Sequence, residues 1–203
     1  MTTDIFRSHA LTIAVADSFL GTQILACVVD NSTTMNLSRY LTEELVKLEM
    51  ETEIEEFVEG SSRDKWLIRS KELVLNELVD VLDQGARIGN RSKLLLDFVN
   101  REKKATTGIG MGVAIPHIRS LQAKEFMLAF ARSSHGYEFD ALDAKPVHMF
   151  FVMASPPYDD SMYLKAFKSL ASMLQYDSFR EELMSVNSPG EVIRALRQME
   201  YSL

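Results

Sequence analysis

Apolar residues recur along the chain with two different periods. Between Ser70 and Leu82 the stretch SKELVLNELVDVL sets Leu75, Leu78, Val79 and Leu82 on one stripe at helical spacing, and Gly85 offers a C-terminal stop. A second helix is predicted from about Arg91 to Glu102, with Leu95, Phe98 and Val99 inward, which brings Arg101 to the mouth of a glycine-rich loop. Upstream, a short helical turn around Leu37 to Leu41 leads into LVKLEM, whose alternation predicts a strand. A Glu-rich, exposed excursion then runs to Gly60.

Beyond the second helix come three strand-like runs, MGVAI, EFMLAFAR and PVHMFFVMA. The last is apolar almost throughout, the pattern of a strand covered on both faces. Next, DDSMYLKAFKSLASMLQY predicts a helix with Leu164, Phe167, Leu170, Ala171 and Leu174 at core spacing and Asp159 or Asp160 as its cap. SFREELMSV predicts a short helix. SPGEVIRALRQM predicts the last, with Ser188 as N-cap, Pro189 at the first helical position and Glu191 completing a capping box.

Helices alternating with strands predict an α/β fold, a mixed β-sheet flanked by helices on both faces; short polar connectors between the strands after the glycines make it mixed. The 203 residues fit one domain, expected over 35–203, where NLSRYLTEELVKLEM opens a new polar-capped pattern. Residues 1–34 are expected to be a mobile extension or to lie upstream of the true start. Their apolar stretch is broken by Asp17, Ser18 and Gln23 and lacks the charge pattern and cleavage site of a signal peptide.

Composition narrows the function classes. An apolar fraction of 46% with 25% charged residues is globular, and no apolar run reaches bilayer-spanning length, so no direct membrane insertion is expected. The single cysteine, Cys27, excludes an internal disulfide and points to a reducing cytoplasm. A net charge of −7 argues against a nucleic-acid partner. Residues 43–59 carry eight glutamates against Lys47, which equals that whole charge. Conversely, within 101–124 Arg101, Lys103, Lys104, Arg119 and Lys124 face only Glu102, an excess able to attract an anion.

That basic stretch surrounds TTGIGMGVAIPHIRS, residues 106–120. Gly108, Gly110 and Gly112 can turn backbone amides toward an oxyanion, but their spacing is neither that of a dinucleotide site nor that of a P-loop. No cofactor is therefore expected. Pro116 lacks an amide proton and is expected to hold His117 outside the ladder, at a strand's end. The other histidines, His9 in the extension, His135 in an expected polar turn and His148 in a strand, give no metal-ligand spacing. No G-x-S-x-G elbow accompanies His117 either. A histidine beside glycine amides and cations suits phosphoryl oxygens, and His117 can carry a phosphoryl group itself. The plainer alternative makes GIGMG a tight hairpin and His117 a surface residue.

From Met35 onward the chain resembles the enzyme IIA domain of the mannitol and fructose class of the bacterial phosphotransferase system, including its nitrogen-regulatory branch. The resemblance rests on REKKATTGIGMGVAIPH, on FDALDAKPVHMFFVMASP and on the long helix that follows. It implies a IIA-type sandwich and a phosphohistidine carrier: His117 takes a phosphoryl group from an HPr-like phosphocarrier and Arg101 steadies it. Thr107, Gly108, Gly110, Gly112 and Tyr163 are the expected phosphate-binding residues, with no metal. A IIB subunit or a regulatory target protein would be the next partner. Two departures stand out. Ile118 follows the histidine where the family has a tiny residue, and Tyr163 stands where a second histidine helps to orient phosphate; tyrosine donates a hydrogen bond but carries no positive charge. The alternatives are a docking module that is never phosphorylated and a sugar-specific IIA that works with separate subunits.

Overall fold

The structure, a computed structural model, describes residues 35–203. The expected extension, residues 1–34 with His9 and Cys27, lies outside the described residues. Two short 3-10 turns, Leu37–Arg39 and Glu43–Leu45, come first. The elements then run β1 (Val46–Lys47), α1 (Arg63–Asp83), α2 (Arg91–Glu102), β2 (Gly108–Gly110), β3 (Val113–Ala114), β4 (His117–Arg119), β5 (Met127–Tyr137) and β6 (Val147–Ser155). Three helices close the chain: α3 (Asp160–Met173), α4 (Asp177–Ser185) and α5 (Pro189–Ser202). Between β1 and α1 the Glu-rich segment has no regular structure and is largely exposed.

The sheet is ordered β1-β5-β6-β3-β2, and β4 also pairs with β6. β5 and β6 are antiparallel, from Met127 opposite Ala154 to Tyr137 opposite Val147. β1 joins β5 in parallel, β3 and β4 join β6 in parallel, and β2 turns back antiparallel on β3. The sheet is mixed, as expected. All of β6 except His148 is buried, which requires a layer on each face of the sheet. α1 and α2 pack on each other and against β5 and β4 respectively, while α5 packs on α4 and β1 and joins α3 over the Leu37–Arg39 turn.

Several expectations are corrected. α1 begins at Arg63, earlier than Ser70, capped by Ser62, whose Oγ accepts from Lys65 N. Its added first turns are mostly exposed, so they carry no apolar stripe to read. α1 does stop just before Gly85, its last residue being Asp83, and the left-handed residue after it is Ala86, with φ of 53°. On α3 the buried stripe is Ala166, Leu170, Met173 and Leu174, whereas Leu164 is 64% exposed. Asp159 is the cap, accepting from Met162 N. At α5 Ser188 makes no side-chain cap bond, and Glu191 reaches back to Asn187 N (2.7 Å) instead of completing the box. β5 continues to Tyr137, so His135 lies in a strand and not in a turn.

Pro116 does interrupt the ladder, yet His117 does not stand outside it. His117 pairs with Met153 as the first residue of β4. Proline removes a donor but keeps its acceptor, and the Pro116 carbonyl takes the Met153 N–H at 2.9 Å. β3 and β4 therefore lie end to end along one edge of β6, joined by Ile115 and Pro116.

The facing of α3 gives a direct test. Leu170→Ala empties a fully buried position and is expected to cost roughly 2–5 kcal/mol, whereas Leu164→Ala is expected to stay within about 0.5 kcal/mol of the parent chain. Urea unfolding of both variants checks this; equal losses would mean that the helix faces the other way.

Candidate functional site

His117 is held by its own strand. Two residues upstream, the Ile115 carbonyl lies 2.6 Å from His117 Nδ1. A carbonyl only accepts, so Nδ1 carries the proton and Nε2 of the neutral ring keeps a lone pair. On that side Arg101 Nη2 lies 2.9 Å from Nε2. A guanidinium only donates, so both contacts select the same tautomer. The ring is wedged against α3, with Phe167 edge-on at 5.2 Å between centroids and Tyr163 tilted at 5.9 Å.

Burial pushes the imidazole pKa from 6.5 down to about 4; the Ile115 carbonyl opposes this and the Arg101 charge adds to it. At neutral pH His117 is an uncharged base whose Nε2 lone pair is held on a fixed nitrogen and meets Arg101, the state a nucleophile needs. Burial pushes the Tyr163 phenol up, against the opposing charges of Arg101 and Arg119, so its O–H stays protonated and able to donate. The Arg119 guanidinium carbon lies 5.9 Å from the Tyr163 ring centroid.

α2 delivers Arg101 in its last turn, where a cation also suits the helix's negative end. The guanidinium is braced from its other side, Nη1 donating to the Ala105 carbonyl at 2.9 Å. Arg101, Lys104 and Arg119 line one open groove with Lys93, Leu96, Ile118, Leu121 and Pro157. Ile118 is half-buried and lines that groove. Among the described residues, no group of three or more His, Cys, Asp or Glu side chains is placed to hold a metal ion.

The structure brings His117, Arg101 and Tyr163 together but not the glycines. Gly112 accepts through its carbonyl from His148 N and Met149 N, at the far end of β6 from Met153, which faces His117. Five strand positions separate His148 from Met153, about 16 Å. Gly110, Met111 and Gly112 all have positive φ, and they form the tip of the β2–β3 hairpin, where Met111 N donates to Asp143. GIGMG is thus a tight hairpin, and the glycines are needed for that turn. Gly108 N donates to Thr106 Oγ1, and a Cβ at Gly108 would sit 2.8 Å from the Ala141 backbone. Thr107 also turns inward: its N–H and Oγ1 both bond the Glu102 carboxylate.

Sequence reasoning missed three parts of the site. The Ile115 carbonyl has no side-chain signature. Phe167 was legible as a core residue, and its spacing of four from Tyr163 was the signal that both share the ring-facing side of α3. Glu102, adjacent to Arg101, was counted only as a charge.

An α/β sandwich whose central strand carries, on its edge, a histidine with one nitrogen anchored and the other facing an arginine defines the class of protein. A model of the family described as "Phosphoenolpyruvate-dependent sugar phosphotransferase system, EIIA 2" matches residues 63–199, and the chain belongs to that family. It is 32% identical over 130 residues to a fructose-specific EIIA component of Haloferax volcanii, covering 64% of this chain and 84% of that protein. It is 29% identical over 164 residues to the fructose-specific EIIABC component of Bacillus subtilis, covering 81% of this chain but only 23% of that longer protein. Among solved structures, the nitrogen regulatory protein IIA-Ntr of Neisseria meningitidis matches with a TM-score of 0.66 and 29% identity, over 79% of this chain and 98% of that one.

The electrostatics predict a titration. By NMR, the His117 midpoint is expected near 4, and in Arg101→Ala it should rise while remaining below 6.5, because burial is the larger cause. The sign for stability follows: the folded ring binds its proton more weakly than the unfolded one, so this contribution is present above pH 6.5 and is lost as pH falls toward 4. Thermal melts should show His117→Asn losing less stability than the parent over that window; parallel curves would refute the assignment.

Proposed function

We propose that the protein is a phosphohistidine carrier, in which His117 accepts a phosphoryl group from an HPr-like phosphocarrier and hands it on or displays it as a signal. The observation that carries the reading is the pair of contacts on the ring, Nδ1 to the Ile115 carbonyl at 2.6 Å and Nε2 to Arg101 at 2.9 Å. The Nε2 lone pair attacks phosphorus of the donor's phosphohistidine. A new N–P bond forms as the donor's N–P bond breaks, and that electron pair returns to the donor's ring. The positive charge that grows on the His117 ring is met at Nδ1–H by the Ile115 carbonyl. Arg101 shifts its hydrogen bond from Nε2 to the arriving phosphoryl oxygens, where the Tyr163 O–H also donates.

The family supports this chemistry, and the likeness to the Neisseria nitrogen regulatory protein supports a regulatory role in which the state of His117 alters binding to target proteins. The identity with the Haloferax fructose-specific component favours a second reading, a sugar-specific IIA that passes its phosphoryl group to a IIB subunit. Either role carries a cytoplasmic location with it.

The test is incubation with phosphoenolpyruvate, enzyme I and HPr. Acid-labile phosphate is expected on the parent chain and none on His117→Ala, while Arg101→Ala should slow incorporation by about 100-fold or more with an unchanged melting temperature. No incorporation into the parent chain would leave a docking module that is never phosphorylated. Chasing the labelled protein with fructose-type IIB separates the two roles, since only the sugar-specific one empties His117.

A further inference from the structure

Arg101 can serve the ring only if its guanidinium stays where it is. An arginine side chain has several rotatable bonds, and holding it in one place costs conformational entropy. Its second anchor is the Ala105 carbonyl, which belongs to the five-residue connection 103–107 between α2 and β2. Whatever fixes that turn therefore fixes the cation.

A closed polar cluster fastens it. Glu102, the last residue of α2, turns its carboxylate inward and accepts from Thr107 N at 3.1 and 3.2 Å and from Thr107 Oγ1 at 2.6 Å, spanning the turn from one end to the other. Lys71 Nζ, from α1, donates to the same carboxylate at 2.9 Å. Thr106 Oγ1 accepts from Gly108 N and donates to the Phe139 carbonyl. Glu102, Thr107 and Lys71 are 6%, 4% and 7% exposed, so a lost partner would leave a largely desolvated polar group. Lys71 also lies 3.5 Å from Asp140 and from Thr106 Oγ1. The cluster is saturated by its own members, which leaves no demand for a ligand and makes holding the turn its work.

We infer that Glu102, through its bonds to Thr107, is the positioning residue for Arg101: it never touches the phosphoryl group but locks the turn whose Ala105 carbonyl aims the guanidinium at His117 Nε2. Lys71 keeps the Glu102 charge compensated inside the protein. The arginine and the glutamate beside it thus act as a pair, one facing the ring and one facing the core, because successive residues at a helix end point in different directions.

This deepens the proposed carrier function, and its test has one arm that does not depend on that function. Thr107→Val removes one hydroxyl with little change of shape, and Thr107→Ser keeps it. In Thr107→Val the NMR titration of His117 is expected to move upward, in the direction of Arg101→Ala and by at least half of that variant's shift, because the guanidinium no longer stays beside the ring. Thr107→Ser should titrate like the parent chain. Glu102→Gln should shift at least as far as Thr107→Val; if it fails to fold because Lys71 is left uncompensated, the two threonine variants decide alone. In the transfer assay Thr107→Val is expected to lose roughly 10- to 100-fold in rate, the scale of a misplacement of about 1 Å, with little change in the apparent affinity for the donor. A folded Thr107→Val with an unmoved titration and an unmoved rate overturns the inference. An unphosphorylated parent chain in which the titration still moves would sink the carrier reading and keep the positioning role.

Discussion

The hydrogen bond from His117 Nδ1 to the Ile115 carbonyl decides what the site can do. It assigns the proton, and by doing so it turns the other ring nitrogen into a fixed lone pair aimed at Arg101. The bond exists because the chain between β3 and β4 is stretched along β6, with Pro116 contributing a carbonyl to the ladder where it lacks an amide. A freely rotating histidine would exchange tautomers and faces, and its lone pair would point at solvent as often as at a partner. Burial against Phe167 and Tyr163 then keeps the ring uncharged at neutral pH, so that a proton does not block the nitrogen.

Around that bond the protein divides its labour between elements. β6 supplies the rail on which β3 and β4 are laid end to end. α3 supplies the aromatic wall, and α2 supplies the cation at its C-terminal turn. The charge distribution agrees with this layout. Lys93, Arg101, Lys104 and Arg119 line one groove, with Arg101 on the ring, while the acidic segment that dominates the net charge flanks β1, most of it between β1 and α1. Cations beside the histidine favour an approaching anion there.

The glycine-rich stretch serves geometry more than chemistry. Its three positive-φ residues in a row make the hairpin tip, and its close approach to Ala141 packs β2 against the connection before β6. These contacts fix where β3 begins, and from there Val113, Ala114, Ile115 and Pro116 carry the chain to His117. A glycine motif and a histidine in one short sequence invite the idea of a shared cradle. Extended backbone separates them instead, because each residue of a strand advances the chain by about 3.3 Å.

From the sequence alone one could read the alternation of helices and strands, the doubly buried central strand, the helix that carries Arg101 at its end and the histidine after Pro116. These are local matters, set by side-chain periodicity, proline's missing donor and the residue types that chemistry requires. Leu164 and Leu170 look alike at the level of pattern, and only the packing of α3 on the sheet exposes one and buries the other. Likewise, the pattern makes Glu102 only a helix-end charge and Thr107 a candidate for phosphate, until the fold turns both inward, with Thr107 on the Glu102 carboxylate and Lys71 of α1 beside it. Which groups face the imidazole, which face the core, and which nitrogen holds the proton were decided by tertiary structure, because these depend on distances between segments far apart in the chain and on the water those segments exclude.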